Sequence, residues 1–306
     1  MGRLEQLDQA QLNAIVERAK PKAQLGRLPD YIPLLAQVKT ERIAVQVASM
    51  DGSVLTVDEI GLRFVLMSVI KPFLLLFALH HFGTEIVFQQ VGQDPSDQPF
   101  HSVAQLANDR GHPRNPMINS GAIALTEFLP GVTSSERCEH LRQWLNQQAG
   151  CELTLDLAML ASVRSLGNES NRAIANLLKQ AGHLGETEVA LDTYNQICCL
   201  SGTITDLAKL GLLLVCPHSA LLTLHQQSVM ALMLTCGLYE VSGEYAVRIG
   251  LPIKSGVSGV ILAVIPKQGA IAIYSPEIDV TGNSIAGLCI LEQLVQQLDI
   301  SLFAST

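Results

Sequence analysis

The stretch VILAVIPKQGAIAIYS, residues 260–275, reads as two short apolar strands joined at Lys267-Gln268-Gly269. A β-rich run, a turn and a second β-rich run is the signature of a hairpin. A second hairpin lies near the other end of the chain. There Ile43, Val45 and Val47 alternate with other residues, Asp51-Gly52 supplies the turn, and Val54, Leu55 and Val57 follow. Between the hairpins, nearly two hundred residues carry little strand signal. Apolar spacing predicts helices over 67–82, 136–149, 170–181, 203–215 and 226–235. Residues 8–19 read as a further helix, with Asp8 as N-cap, Leu12, Ile15, Val16 and Ala19 on one face, and Pro21 closing it. GNSIAGLCILEQLVQQL (282–298) reads as a long buried helix capped near Asn283. Strands at both ends with helices between imply an α+β fold. One antiparallel sheet is built from both chain ends and flanked by helices, and a mostly helical lobe is inserted. Within a single unit, 1–306, the sheet lobe takes about 22–66 plus 240–306 and the helical lobe about 67–239.

Composition narrows the function classes. With 48% hydrophobic and 16% charged residues, the 306-residue chain is globular rather than disordered or fibrous. Net charge is −8, and the 20 Lys and Arg form no basic block. Neither nucleic acid nor an anionic membrane is an expected partner. The start, MGRLEQLDQAQ, is too polar for a signal peptide. Met1-Gly2 lacks the Ser or Thr at position 6 that myristoylation wants. The greasiest run, 65–79, is interrupted by Lys71-Pro72 and followed by His80-His81, so it reads as too short and too marked to span a bilayer. Seven cysteines, with no C-x-x-C, read as reduced thiols of a cytoplasmic protein. His80 and His81 are adjacent and cannot share a helix face as ligands. No metal, P-loop or dinucleotide motif occurs, so neither metal nor organic cofactor is expected.

Three short patterns carry chemistry. In Ser68-Val69-Ile70-Lys71, residues three apart on a helix share a face. A serine hydroxyl needs a base to become a nucleophile, and a lysine walled by apolar side chains is disfavoured as a cation and can be that base. Taken alone, the spacing suits a helix with a snorkelling lysine just as well. Lys254-Ser255-Gly256-Val257 lies on or beside a strand, and S-x-x-K followed far downstream by K-T-G is the plan of the β-lactamases and penicillin-binding enzymes, Ser255 here standing in for the Thr. Residues 92–121, rich in Pro, Asn, Asp and Gly, are irregular, as functional loops are. Within them Asn119 follows Asn115-Pro116 and is either a helix cap or a substrate-binding amide.

GRLPDYIPLLA (26–36), FVLMSVIKPF (64–73), DPSDQPFHS (94–102), PRNPMINSGAI (113–123), NRAIA (171–175), TCGLYEVSGEYA (235–246), GLPIKSGVSG (250–259) and SPEIDVTGNSIAG (275–287) together resemble the serine-dependent glutaminases. These have a β-lactamase-like fold. The resemblance implies hydrolysis of the side-chain amide of L-glutamine to L-glutamate and ammonia through an acyl-serine. It implies Ser68 as nucleophile, Lys71 as its activator and Tyr239 as a proton carrier. The Ser68 and Val257 backbone N–H groups would form the oxyanion hole, and Tyr31, Asn119, Asn171 and Tyr194 would hold substrate. It further implies a homo-oligomer, dimer or tetramer. A related serine amidohydrolase of altered specificity, or a catalytically degenerate paralogue acting as a binding module, are the other readings.

The chain also departs from that pattern. The family usually carries a Glu seven residues before the position matched by Asn171, and here Arg164 stands there. Glu169 is the nearest carboxylate, but two residues before Asn171 it would face another way on a helix. Either Glu169 has taken over, or another acid serves, or glutamine binds differently. Ser258 and Val260 replace glycines of the usual run after Lys-Ser-Gly-Val, and the stretch 215–228 is shorter than the family's.

Overall fold

The computed structural model describes residues 3–58 and 61–304. Its strands are β1 (Ala44–Ser49), β2 (Val54–Val57), β3 (Phe64–Val65), β4 (Thr154–Leu155), β5 (Leu200–Gly202), β6 (Ile253–Gly256), β7 (Val260–Ile265) and β8 (Gly269–Tyr274). Its α-helices are α1 (Gln9–Ala23), α2 (Lys71–Gln90), α3 (Val103–Asn108), α4 (Asn119–Leu125), α5 (Ser134–Ala149), α6 (Leu157–Arg164), α7 (Glu169–Gln180), α8 (Thr187–Cys198), α9 (Ile204–Val215), α10 (Thr223–Cys236), α11 (Ser242–Arg248) and α12 (Ile285–Leu298).

Both hairpins form, and they pair with each other. β1 runs antiparallel to β8, with Val45 opposite Ile273, giving a five-stranded sheet of order β2-β1-β8-β7-β6. The arms of the 260–275 hairpin are continuously apolar because both faces are covered. Ile261, Ala263, Ile265, Ile271 and Ile273 join a core with Leu12, Ile15 and Val16 of α1 and Leu291 and Leu294 of α12. The alternate residues Val260, Leu262, Val264, Ala270 and Ala272 join the other core, with α2 and α9. This is the period of two read on two cores at once. α9 sits directly on the sheet at Gly211, where a Cβ would come within 2.5 Å of the Ala270 Cβ.

Several boundaries differ from the sequence reading. α1 does not stop at Pro21 but carries it inside and continues to Ala23. The lost backbone hydrogen bond falls near the end of a helix whose buried face, through Ala19 and Ala23, holds it in place. The greasy run does not stop at 82. α2 continues to Gln90 across a kink at Gly83. Met67–Gln90 is therefore long and apolar enough by length and composition to cross a bilayer, contrary to the expectation, although 72% of its apolar window is buried inside the fold. The cap of α12, expected near Asn283, is the adjacent Ser284, whose hydroxyl accepts from Gly287 N–H. A second sheet, β3-β5-β4, escaped notice because strands of two or three residues have no readable period. α8 escaped because its buried face mixes Thr187, Thr193 and Gln196 with Ala190, Leu191 and Ile197. The 92–121 stretch holds α3 and the start of α4. Met1-Gly2 lie outside the described residues.

Candidate active site

Ser68 lies in a 3₁₀ turn, Met67–Ile70, and Lys71 opens α2 directly after it. The Lys71 backbone N–H donates to the Ser68 carbonyl. In a 3₁₀ turn, residues i and i+3 eclipse one another, so hydroxyl and amine share one face more closely than α-helical spacing would give. Met67, immediately before the serine, has φ 45°. A non-glycine residue in that region stores backbone strain, and such residues cluster at functional sites.

Lys71 is fully buried. Its Nζ donates to Met117 O (3.2 Å) and Asn119 Oδ1 (2.8 Å). Burial pushes its pKa down to about 8, the nearby Cys198 opposing slightly. Both acceptors of this amine are neutral, and with a pKa of about 8 the uncharged base is a minority at pH 7 that becomes the major form only above about 8. Asn119 Oδ1 also accepts from the Tyr194 hydroxyl at 2.8 Å, and Asn119 Nδ2 donates to Asn171 Oδ1 at 2.9 Å. Four residues singled out from the sequence, on α2, α4, α7 and α8, thus join in one hydrogen-bonded chain.

The Lys-Ser-Gly triplet approaches from the sheet. The end of β6 lies against the serine turn so closely that a Cβ on Gly256 would meet Leu66 O at 2.7 Å and Ser68 N at 3.3 Å. Val257 follows Gly256 directly and lines the cleft. Ser258 Oγ donates to Val65 O at 2.7 Å, tying the same loop to the strand that enters the turn. Lys254, also fully buried, donates from Nζ to Gly237 O (2.9 Å) and Ser255 O (2.8 Å) and lies 4.3 Å over the Tyr239 ring. Burial, helped by the Lys71 charge, holds Lys254 well below the usual lysine range. The Tyr239 hydroxyl donates to Ser255 O at 3.1 Å. Burial raises this phenol far above its ordinary value, and hydrogen bonding to Ser68 and Ser255 opposes the rise. Tyr239 has φ 59°, a second strained position at the site.

In front of this cluster opens a cleft of about 640 Å³ lined by Tyr31, Phe100, Asn119, Glu169, Asn171 and Val257 and by the 278–282 loop, among others. Ser68, only 6% exposed, is tucked behind the lining. Tyr31 stands at the mouth, half exposed. Arg164 does not line the cleft. Its guanidinium grips Asp192 of α8 with two 2.8 Å bonds, and Ser134 and Gln196 donate to the same carboxylate. Glu169 does line it, contrary to the expectation from helical spacing. The reason is that Glu169 and Asn171 are the first and third residues of α7, whose opening turn faces the cleft end-on rather than side-on. Sequence reasoning missed the Met117 carbonyl, the Ser258 tie and the Phe100 ring, 4.7 Å from that of Tyr239. No sequence signal marks a backbone carbonyl as an acceptor. Among the described residues no cluster of three or more His, Cys, Asp or Glu could hold a metal ion.

Comparisons with known proteins agree with this geometry. The glutaminase family model matches residues 26–303. A glutaminase from Synechocystis sp. is 47% identical, covering 92% of this chain and 86% of its own. Glutaminase 2 of Escherichia coli K12 is 35% identical, covering 97% and 99%. Among solved structures, probable glutaminase ybaS superimposes with TM-score 0.90 at 35% identity over 98% of this chain and all of its own. The probable glutaminase of Bacillus subtilis complexed with 6-diazo-5-oxo-L-norleucine gives 0.87 at 31% identity, covering 97% of each chain. Matched nearly end to end in sequence and in backbone, the chain belongs to the glutaminase family.

Proposed function

We propose that the glutaminase activity of this chain, L-glutamine and water giving L-glutamate and ammonia, is carried by Ser68 as nucleophile and Lys71 as its base. The observation that supports this most is the fully buried Lys71 amine, held by two neutral acceptors on the face it shares with Ser68. The Ser68 hydroxyl attacks the side-chain carbonyl carbon, and its proton passes to Lys71 Nζ. The carbonyl oxygen becomes an oxyanion, stabilised by the Ser68 and Val257 N–H groups acting as its donors. The C–N bond then breaks. Ammonia leaves with a proton relayed from Lys71 by the Tyr239 hydroxyl, and a γ-glutamyl ester remains on Ser68. Water, deprotonated by Lys71, attacks the ester and returns Ser68 and glutamate. Asn119, Asn171, Tyr194 and Tyr31 hold the substrate, and no metal or cofactor enters a step.

The test is ammonia release from glutamine together with intact mass after exposure to 6-diazo-5-oxo-L-norleucine. Wild type releases ammonia and gains one adduct, which maps to Ser68. Ser68→Ala does neither. An adduct on another residue would overturn the assignment. The seven free thiols, most of them buried, support a cytoplasmic location. A homo-oligomeric state rests on the family resemblance, and sedimentation velocity reads it directly.

A further inference from the structure

We infer that Glu169 is the residue that receives the α-ammonium of the substrate and so sets the preference for an α-amino acid. This rests on the site reading above and goes beyond it. Glutamine carries a carboxylate and an ammonium on the same carbon, so the cleft must offer N–H donors and an anionic acceptor side by side. The two asparagines supply only the first. Asn119 Oδ1 is taken by both Lys71 Nζ and the Tyr194 hydroxyl. Asn171 Oδ1 is turned onto Asn119 Nδ2. What Asn171 has left for the cleft is its NH₂, a carboxylate ligand. The ammonium therefore needs a carboxylate next to Asn171.

Among the described residues lining the cleft, the carboxylates are Asp30, Glu169 and Asp279. Asp279 Oδ1 is occupied within its own loop by Thr281 N–H, Thr281 Oγ1 and Asn283 N–H. Asp192, the acid near Tyr194, is gripped by Arg164 and does not line the cleft. Asp30 sits at the mouth beside the half-exposed Tyr31. Glu169 shares the opening turn of α7 with Asn171, lines the cleft with it, and its carboxylate has no partner among the described residues. Donor and acceptor on one helical turn match two charges on one carbon.

Binding of L-glutamate and of glutarate, which is glutamate without its ammonium, isolates this contact. In wild type, L-glutamate competes with glutamine much better than glutarate does. Glu169→Gln weakens L-glutamate at least about tenfold, the worth of one charge-assisted hydrogen bond, leaves glutarate unchanged, and raises KM for glutamine with little change in kcat. Asp30→Asn leaves the L-glutamate to glutarate ratio as it was. The inference is overturned if Glu169→Gln keeps the wild-type ratio, or if Asp30→Asn collapses it instead. The site reading fails by a separate measurement, namely full activity of Ser68→Ala.

Discussion

The hydroxyl of Ser258 donates to the carbonyl of Val65 at 2.7 Å, in a place that is almost fully buried. It ties the loop presenting the Val257 amide to the segment that leads into Ser68. In the proposed oxyanion hole the Ser68 and Val257 N–H groups serve one oxyanion only while their separation is fixed, so on that reading the tie acts on the transition state more than on the substrate. Ser258→Ala removes about 1 kcal/mol of net hydrogen bonding. The expected result is a kcat several-fold lower with KM nearly unchanged, read from steady-state kinetics. An unchanged kcat would make the bond purely structural.

The Lys71 amine, pushed down to about 8 by burial, predicts the pH profile. The base form grows as pH rises, so kcat/KM climbs through neutrality and levels off above about 8. Lys71→Ala loses at least roughly 10²-fold, the usual worth of a general base, and loses the inflection with it. An inflection at the same pH in the variant would assign it to another group.

Asn119 touches both the cleft and the proposed base, Lys71. Asn119→Ala removes an acceptor from Lys71 Nζ and the partner of Asn171. It therefore lowers kcat and raises KM together, whereas Tyr194→Phe, which removes one donor to Asn119 Oδ1, mainly raises KM. A pure KM effect of Asn119→Ala would disconnect it from Lys71.

Gly211 tests the packing of α9 on the sheet. The added methyl of Gly211→Ala would sit 2.5 Å from Ala270 Cβ and 2.9 Å from Leu262 Cδ1. Overpacking of this kind costs about 1–3 kcal/mol. Calorimetry should show a Tm lower by several degrees, with kcat at 25 °C preserved in the folded fraction.

Acid stability follows from a histidine group where α2 meets α10. Burial lowers the pKa values of His80, His81 and His225, and neighbouring imidazoles, His218 near His80 and His80 near the other two, lower them further. His225 Nδ1 is buried without a hydrogen-bond partner. Groups depressed in the folded state bind more protons when unfolded, so their contribution is complete above about pH 6.5 and is lost as pH falls through the folded values. Urea midpoints should drop between pH 7 and pH 5, and His225→Gln should flatten that drop. A pH-independent midpoint would remove the histidines from the account.

How much was legible in the chain varies with the range of the interaction. The 260–275 hairpin is stated twice, by its turn residues and by runs apolar enough for two covered faces. Ser68 and Lys71 are three residues apart, so local helical geometry already places them together. Asn119 stands out locally, after Asn115-Pro116, while Asn171 and Tyr194 enter only through a resemblance between sequences, and no spacing argument links the three, because they come from three different helices. Glu169 was misread for a definite reason. Helical periodicity tells which side of a helix a residue faces, but not that the cleft lies off the end of α7.

By itself the sequence determined the strands at both ends, the helices between them and the serine–lysine pair, because these depend on contacts within a few residues. Only the tertiary structure decided that Lys71 meets neutral acceptors at Met117 and Asn119, that the end of β6 lays Gly256 against the Ser68 turn, and that Arg164 spends its charge on Asp192 while Glu169 lines the cleft. Charge and hydrogen-bond partners drawn from distant segments are fixed by how the elements pack, and a linear pattern carries no record of that distance.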